Sequence, residues 1–581
     1  MRVRFLGLAF FLALITAAAA SEPVLIEWDS IHQPIRANGG MVASQEFRAS
    51  EIAANVLASG GNAVDAAVAL GFAKAVSLPK AGNLGGGGFM LIYLAKEKKT
   101  IAIDYREMAP AAAHADMFLT QQGNVDKDAA RYSTNASGVP GTVAGLLHAL
   151  ENYGTQSRQE IIAPAIKLAE QGIVADYPFL DSLNARKQRL LEDQEVAKIY
   201  FKSGGESYQP GERMVFPELA QTLKLISKDG INGFYRGKTA ELFAKYMKDT
   251  GGLMTLSDLA SYQVKEREPL LGSYRGLRVV SMPPPSSGGV HIIQALNVLE
   301  NFNLAKYGWG SSQHVHLMTE TFKQIYADRS KHLGDPDFVA VPIKQLVDKN
   351  YARSIASKIN SNKATPSNAI APVKLMGDES PQTTHFSVID QWGNIVTNTY
   401  TLNFSFGSGK IVPGTGVFLN NEMDDFSAKP GTPNAYGLLG AKANEIAANK
   451  RPLSSMTPTI IFNGETPVLI TGSPGGSRII TMVLHQIINV VDFGMNIAEA
   501  ANKPRFHHQW YPDKLFVEAG YAPDVLEKLR AMGHVISASR AAGSVQSVAK
   551  DPKGEVLGAS DPRRPGAKTI GVLKTGELIE Y

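Results

Sequence analysis

A chain that leaves the cell without a single cysteine must be held together by its core alone. Cysteine is absent from all 581 residues, so neither disulfides nor thiol catalysis are available, and a covalent nucleophile has to be an oxygen or an amine. Export is predicted by the first twenty residues: Arg2 and Arg4, an apolar run from Phe5 to about Thr16, then Ala17 to Ala20 ahead of Ser21. That is the layout of a secretory signal cleaved near Ala20, and the apolar run falls short of the ~20 residues that span a bilayer. No later stretch is apolar enough to span, so a periplasmic or secreted protein with no stable membrane span is expected. Hydrophobic residues at 44% and charged residues at 19% suit a soluble protein of two ordinary domains or one large layered one. With Arg2 and Arg4 gone, 56 of the 58 Lys and Arg residues face 54 Asp and Glu, a balance that argues against a nucleic-acid partner.

The N-terminal part reads as helices with short strands between. Residues Glu51 to Ser59 form an apolar-periodic helix stopped by Gly60-Gly61, and Asn62 caps a second, Ala-rich helix with Asp65 in its first turn. The glycine run from Gly82 to Gly88 leads into the apolar strand Phe89 to Tyr93. A phosphate loop would follow a strand and open a helix, so close backbone packing is the better reading. From about 150 to 280 the chain is polar, helical and charged, and Pro283 to Gly289 is a rigid turn. Between Asn360 and Pro381 Ser, Asn, Ala and Pro dominate, the composition of an exposed, mobile linker. Strand texture follows at Thr383 to Asp390, Gly393 to Asn403, Thr459 to Ile461 and Val468 to Thr471.

Gln391-Trp392-Gly393-Asn394 is a turn between the first two of these strands. With the hairpin centred on Trp392, residues 383 and 401 are equally far from the turn, which sets Thr383 opposite Thr401 and continues the same face to Asn403. The pattern alone is that of a Thr-decorated hairpin.

Other segments give the hairpin a context. Thr383-Thr384-His385-Phe386-Ser387, Asn420 to Phe426, Arg451 to Met456 and Thr471 to Arg478 closely resemble motifs of the γ-glutamyltransferases, also called γ-glutamyltranspeptidases or glutathione hydrolases. Asp104 to Pro110 and Phe506 to Trp510 extend the resemblance from about residue 25 to the C-terminus. It implies an N-terminal-nucleophile hydrolase fold of the α/β class, an αββα sandwich of two stacked, mainly antiparallel sheets between helical layers. It also implies a precursor that cuts itself after Gln382, giving a large subunit (21–382) and a small catalytic subunit (383–581) that form one intertwined domain. A threonine hydroxyl is a weak nucleophile without a base beside it, and a free N-terminal amine, which only the cut supplies, is such a base.

By the same resemblance Thr383 forms a γ-glutamyl ester, Thr401 hydrogen-bonds the nucleophile, and the amides of Gly475 and Gly476 make the oxyanion hole. Arg106 takes the α-carboxylate of the glutamyl group, with Ser454 and Ser455 as added hydroxyl donors. Asp425, with Glu422 and Asn403, holds the α-ammonium; Glu422 stands where glutamine occurs in some bacterial members. The implied substrates are glutathione and other γ-glutamyl compounds, the acceptors water, amino acids or dipeptides, and no cofactor is implied. A glutaryl-preferring, cephalosporin acylase-like amidohydrolase and an inactive exported binding protein are the competing readings. Asp425 and the segment Pro430 to Lys450 with Tyr436, which resembles the lid loop of many transpeptidases, speak against the acylase.

Four further features receive no catalytic role. His507-His508 and the pair His314/His316 lack the ligand spacing of a recognised metal site, and no metal is expected. His385, two residues along the strand from Thr383, is assigned to packing. Lys96 to Lys99 is a solvated turn.

Overall fold

The computed structural model describes residues 30–370, 383–551 and 553–580. The signal segment, Gln382 and the stretch 371–381 lie outside the described residues. Two antiparallel sheets dominate the described chain. Their strands are β1 (Ile35–Ala37), β2 (Gly40–Ser44), β3 (Gly87–Leu94), β4 (Lys99–Tyr105), β5 (Lys265–Arg267), β6 (Leu270–Tyr274) and β7 (Leu277–Ser281). After residue 382 come β8 (Thr384–Ile389), β9 (Ile395–Thr401), β10 (Thr459–Asn463), β11 (Thr466–Thr471), β12 (Gln546–Lys550), β13 (Val556–Ser560), β14 (Lys568–Val572) and β15 (Leu578–Ile579). One sheet runs β1-β13-β12-β11-β10-β7-β6 and the other β15-β14-β2-β8-β9-β3-β4-β5. Both interleave strands from before and after residue 382, so neither half of the sequence can form its sheet alone.

Helices cover the outer faces, giving the αββα order the sequence implies. On the eight-stranded sheet lie α1 (Phe47–Ala58), α2 (Ala63–Ser77) and α3 (Thr142–Tyr153), and α4 (Arg158–Gln171) packs on α2. Asn62 caps α2 by accepting from the amides of Val64 and Asp65, while Asp65 returns a bond to the Asn62 amide, a capping box that satisfies donors otherwise orphaned at the helix start. With Ala at six of its positions, α2 packs with all fifteen residues buried. Helices α5 (Gly288–Leu299) and α7 (Ile479–Val491) cover the seven-stranded sheet, and α6 (Ser312–His332) packs on α5. Strand residues point alternately to opposite faces, so Phe386 and Val388 of β8 join the core under α1 and α2, whereas Ile389 and Ile395 join the core between the sheets. No described helix is long and apolar enough to cross a membrane.

The expectation of a mobile linker from Asn360 onward is corrected for its first part. Residues 360–370 are docked: the Ala364 amide bonds Met532 O at 2.7 Å, Lys323 Nζ donates to Thr365 O at 2.8 Å, and the Thr365 amide donates to Glu320 at 3.1 Å. Ser367 Oγ donates to Trp510 O at 2.6 Å and Trp510 Nε1 to Ser367 O at 2.9 Å. Polar composition signalled exposure, but these backbone groups are satisfied by Met532 O and Trp510, more than a hundred residues away, or by side chains on α6, which local sequence cannot show.

Candidate active site

Thr383 stands at the head of β8 and is 6% exposed. The ladder pairs Thr384 with Tyr400 and Ile389 with Ile395, so the next step places Thr383 against Thr401, as turn symmetry predicts, and their hydroxyl oxygens lie 3.4 Å apart. The Asn403 amide also donates to Thr401 Oγ1 at 2.9 Å. Strand β9 ends at Thr401, however, and Asn403 adopts φ +72°. It reaches the cleft through a left-handed turn and not, as strand alternation predicts, by continuing the face. Tyr436 secures that turn, its hydroxyl donating to Asn403 O at 2.8 Å.

The glycine run explains why the end of β9 sits where it does. A methyl group at Gly86 would lie 1.9 Å from Thr401 O, and one at Gly85 2.1 Å from Phe418 O. Asn83 ties this turn, donating to Thr401 O at 3.0 Å and accepting from the Gly86 amide at 2.8 Å. Close backbone approach, not phosphate binding, is its use.

A cleft opens beside Thr383, lined among others by Arg106, Glu422, Asp425, Ser454, Ser455 and Gly476. Arg106, fully buried, is held by Pro452 O at 3.1 Å, by Asp425 at 2.6 Å, by a short contact to Glu422 and by Glu107 at 3.4 Å. The cation and the carboxylates expected to grip opposite ends of a zwitterion therefore neutralise one another. Burial pushes the Glu107 carboxyl up to about 7 and Glu422 well above its ordinary value, with neighbouring carboxylates adding to the rise; Arg106 stays charged.

At the other wall, Gly475 and Gly476 have φ +145° and +56°, a backbone that glycine adopts and other residues resist. Among the described residues neither of their amides donates a hydrogen bond, and Gly476 itself lines the cleft. Donors left unpaired beside a nucleophile can receive a developing oxyanion. A methyl group at Gly476 would lie 2.6 Å from Tyr436 Cε1, so the Tyr436 ring rests on the glycine. The segment carrying Tyr436 is tied down by Asp424 accepting from the Ala435 amide at 3.0 Å and Asp425 from Asn434 Nδ2 at 3.3 Å.

His385 is packed, as expected. Its Nδ1 meets Thr399 Oγ1 at 2.8 Å and its Nε2 Ser387 Oγ at 3.1 Å, and its ring fills the space a side chain at Gly472 would need. Burial and the nearby Lys74 hold its pKa well below the usual value, so it is neutral and braces the strand end that leads to the Gly-Gly pair. His507 bonds Thr481 at 2.8 Å and His508 bonds Asp513 at 3.2 Å. His316, Glu320 and His534 do converge. Yet His316 Nε2 faces Asn360 O at 2.7 Å, His316 Nδ1 meets His534 Nε2 at 2.8 Å, and Glu320 is taken by Lys323 at 2.8 Å and the Thr365 amide. These bonds account for the cluster without an ion.

Arg329 escaped sequence reasoning. It is buried on α6 and donates to Ser287 Oγ at 2.9 Å and Ser455 Oγ at 3.2 Å, orienting a hydroxyl that lines the cleft. Burial lowers its pKa to about 10. The available signal was position: Arg329 falls on the helix stripe of Leu317, Met318, Phe322 and Ile325, where a charge needs a reason.

A family model for γ-glutamyltranspeptidase matches residues 49–571. The chain is 52% identical to the glutathione hydrolase proenzyme of Escherichia coli (strain K12) over 557 residues, covering 96% of each. Its structure resembles a cephalosporin acylase from Bacillus halodurans, with TM-score 0.82 and 25% identity over 95% of this chain and 99% of that one. It also resembles a γ-glutamyltranspeptidase chain from Helicobacter pylori, with TM-score 0.56 and 46% identity over 60% of this chain and 97% of that one. The chain belongs to the γ-glutamyltranspeptidase family.

Proposed function

We propose that the protein cuts its own chain between Gln382 and Thr383 and then works as a glutathione hydrolase and γ-glutamyltransferase with Thr383 as nucleophile. The observation that carries this reading is the convergence, in one cleft, of a strand-head threonine with a hydroxyl partner at 3.4 Å, Gly476 of an unbonded Gly475-Gly476 amide pair and an Arg106–Glu422–Asp425 cluster. In the precursor the Thr383 hydroxyl adds to the Gln382 carbonyl; the C–N bond breaks, an ester forms, and water opens it to leave a carboxylate on 382 and a free amine on 383. The cleaved ends belong to subunits 21–382 and 383–581. The proenzyme name of the Escherichia coli relative supports such processing.

In the cleaved protein the α-amine of Thr383 takes the hydroxyl proton as the oxygen adds to the γ-carbonyl of the donor. Negative charge develops on the carbonyl oxygen and is received by the amides of Gly475 and Gly476, each such donor contributing about 3–4 kcal/mol in the transition state. The intermediate collapses by breaking the C–N bond, and the proton held by the amine passes to the departing nitrogen. Water then hydrolyses the ester; an amino acid or dipeptide that attacks instead gives transfer.

The ends of the glutamyl group sort by charge. Its α-carboxylate replaces Asp425 or Glu422 on Arg106, a fork matched to two parallel bonds, with Ser454 and Ser455 beside it. Its α-ammonium takes over the released carboxylates with Asn403. A glutaryl group has no ammonium and would leave those carboxylates facing it unpaired, so γ-glutamyl donors are favoured over the acylase substrates that the Bacillus halodurans likeness suggests. The signal reading supports action outside the cytoplasm.

Thr383→Ala tests the reading. Mass spectrometry is expected to find only a full-length chain, and hydrolysis of a γ-glutamyl anilide is expected to vanish. Cleavage or activity in this variant overturns it. Wild-type turnover of the γ-glutamyl anilide well above that of its glutaryl counterpart is expected in a side-by-side assay.

A further inference from the structure

Lys74 lies in the last turn of α2 with no exposed surface, flanked by Ala73, Ala75 and Val76. A methionine or leucine would pack there with no charge to desolvate, whereas a buried ammonium without a carboxylate in contact is penalised. The carboxylate that acts on it from a distance, Glu46, is engaged elsewhere, accepting from Ser77 Oγ at 2.6 Å, Arg48 Nη1 at 2.9 Å and the Ala49 amide at 2.8 Å. Lys74 Nζ instead donates to Thr384 Oγ1 at 2.9 Å and to the His385 carbonyl at 3.3 Å, and it sits 5.1 Å from the centre of the Phe386 ring. All three contacts are made to the first residues of β8, starting one residue after Thr383.

We propose that Lys74 is a positioning residue for the reacting chain end: it fixes the head of β8 from the helix side and sets a positive charge one residue from the α-amine that must act as base. The proposal rests on the reading of Thr383 as nucleophile. Consecutive Cα atoms are about 3.8 Å apart, so a charge bound to Thr384 lies close enough to favour the unprotonated amine. The geometry also holds the scissile bond before cleavage, because Thr384 and His385 are gripped on the face opposite the cleft. The groups facing Lys74 are Glu46, whose carboxyl burial pushes up, with its partner Arg48; His385, neutral at ordinary pH; and the Tyr400 hydroxyl, bonded to Gly71 O at 3.0 Å and pushed up by burial. Burial brings Lys74 itself down to about 7, so its charge is fullest on the acid side, where the amine most needs protection from protonation.

The test uses the full chain and two readouts, the time course of precursor cleavage and the pH profile of kcat/KM in the processed enzyme. Lys74→Met, an apolar side chain of similar length in an apolar cluster, is expected to slow cleavage by about tenfold or more and to move the acidic limb upward by about half a pH unit or more. Lys74→Arg, which retains the charge, is expected to return the limb toward its original position. Thr384→Val keeps the lysine and removes its acceptor, and is expected to slow cleavage likewise. Unchanged cleavage with an unmoved limb in Lys74→Met overturns the proposal; where that variant does not fold, unchanged cleavage in Thr384→Val does so. A Thr383→Ala chain that stays whole and inert alongside a wild-type-like Lys74→Met chain sinks the role of Lys74 alone, whereas an active Thr383→Ala chain sinks the reading on which it rests.

Discussion

Glu107 shows how the cleft spends stability on charge. It is fully buried, one of its oxygens has no partner among the described residues, and its carboxyl is pushed up to about 7 by burial. Below its unfolded value of 4.5 both states carry the proton. Between there and about 7 the unfolded chain gives it up first, so stability falls as pH rises through that window. Glu107→Gln removes the titration while keeping the shape. Urea denaturation at pH 5 and pH 8 is expected to show the variant gaining on the wild type by about 1–3 kcal/mol at the higher pH; an equal gap at both values contradicts the assignment. Single residues of this kind were legible in type and not in state. Arg106 and Asp425 stood out by their motifs, but 319 positions separate them, and nothing local indicates that they neutralise each other.

At the scale of elements, the hairpin of β8 and β9 was readable because its register follows from its own turn: equal arms around Trp392 bring Thr383 to Thr401 without any other part of the chain. The capped start of α2 was readable for the same reason, since its bonds span three residues. What holds the hairpin in place was not. The end of β9 is set by the glycine turn before β3, where Gly86 lets a backbone pass under Thr401 O. Gly86→Ala is expected to force these strands apart, destabilising the fold by about 1–3 kcal/mol and leaving more uncut precursor on a denaturing gel. A fully processed variant of wild-type stability would show that the turn does not position Thr401. The docking of 360–370 onto α6 and Trp510 belongs to this scale too.

Across the whole molecule, the strands before and after residue 382 alternate. Strand β2 lies between β14 and β8, β3 pairs with β9, and β7 pairs with β10. Buried Asp104 binds Arg451 at 2.6 Å across the same divide, and Arg106 binds Asp425. Once cut, the two pieces share both sheets and the cleft, and separation would expose apolar faces and unpaired ladder groups together. The cleaved subunits are expected to co-elute in size-exclusion chromatography in plain buffer and to part in denaturant. Separation without denaturant would mean that the shared sheets do not hold them.

The sequence by itself determined the local architecture and the range of chemistry: an oxygen or amine as any covalent nucleophile in the absence of cysteine, a capped Ala-rich helix, a threonine hairpin, and motifs whose resemblance implies the roles. Those signals act over a few residues, where periodicity, turn symmetry and capping are decided. Only the tertiary structure decided that Arg106 rests among three carboxylates, that Arg329 aims Ser455, that residues 360–370 are fastened, and that Lys74 touches the strand that follows Thr383. Each depends on which strands neighbour which in two interleaved sheets, a long-range choice set by burial of the whole chain at once.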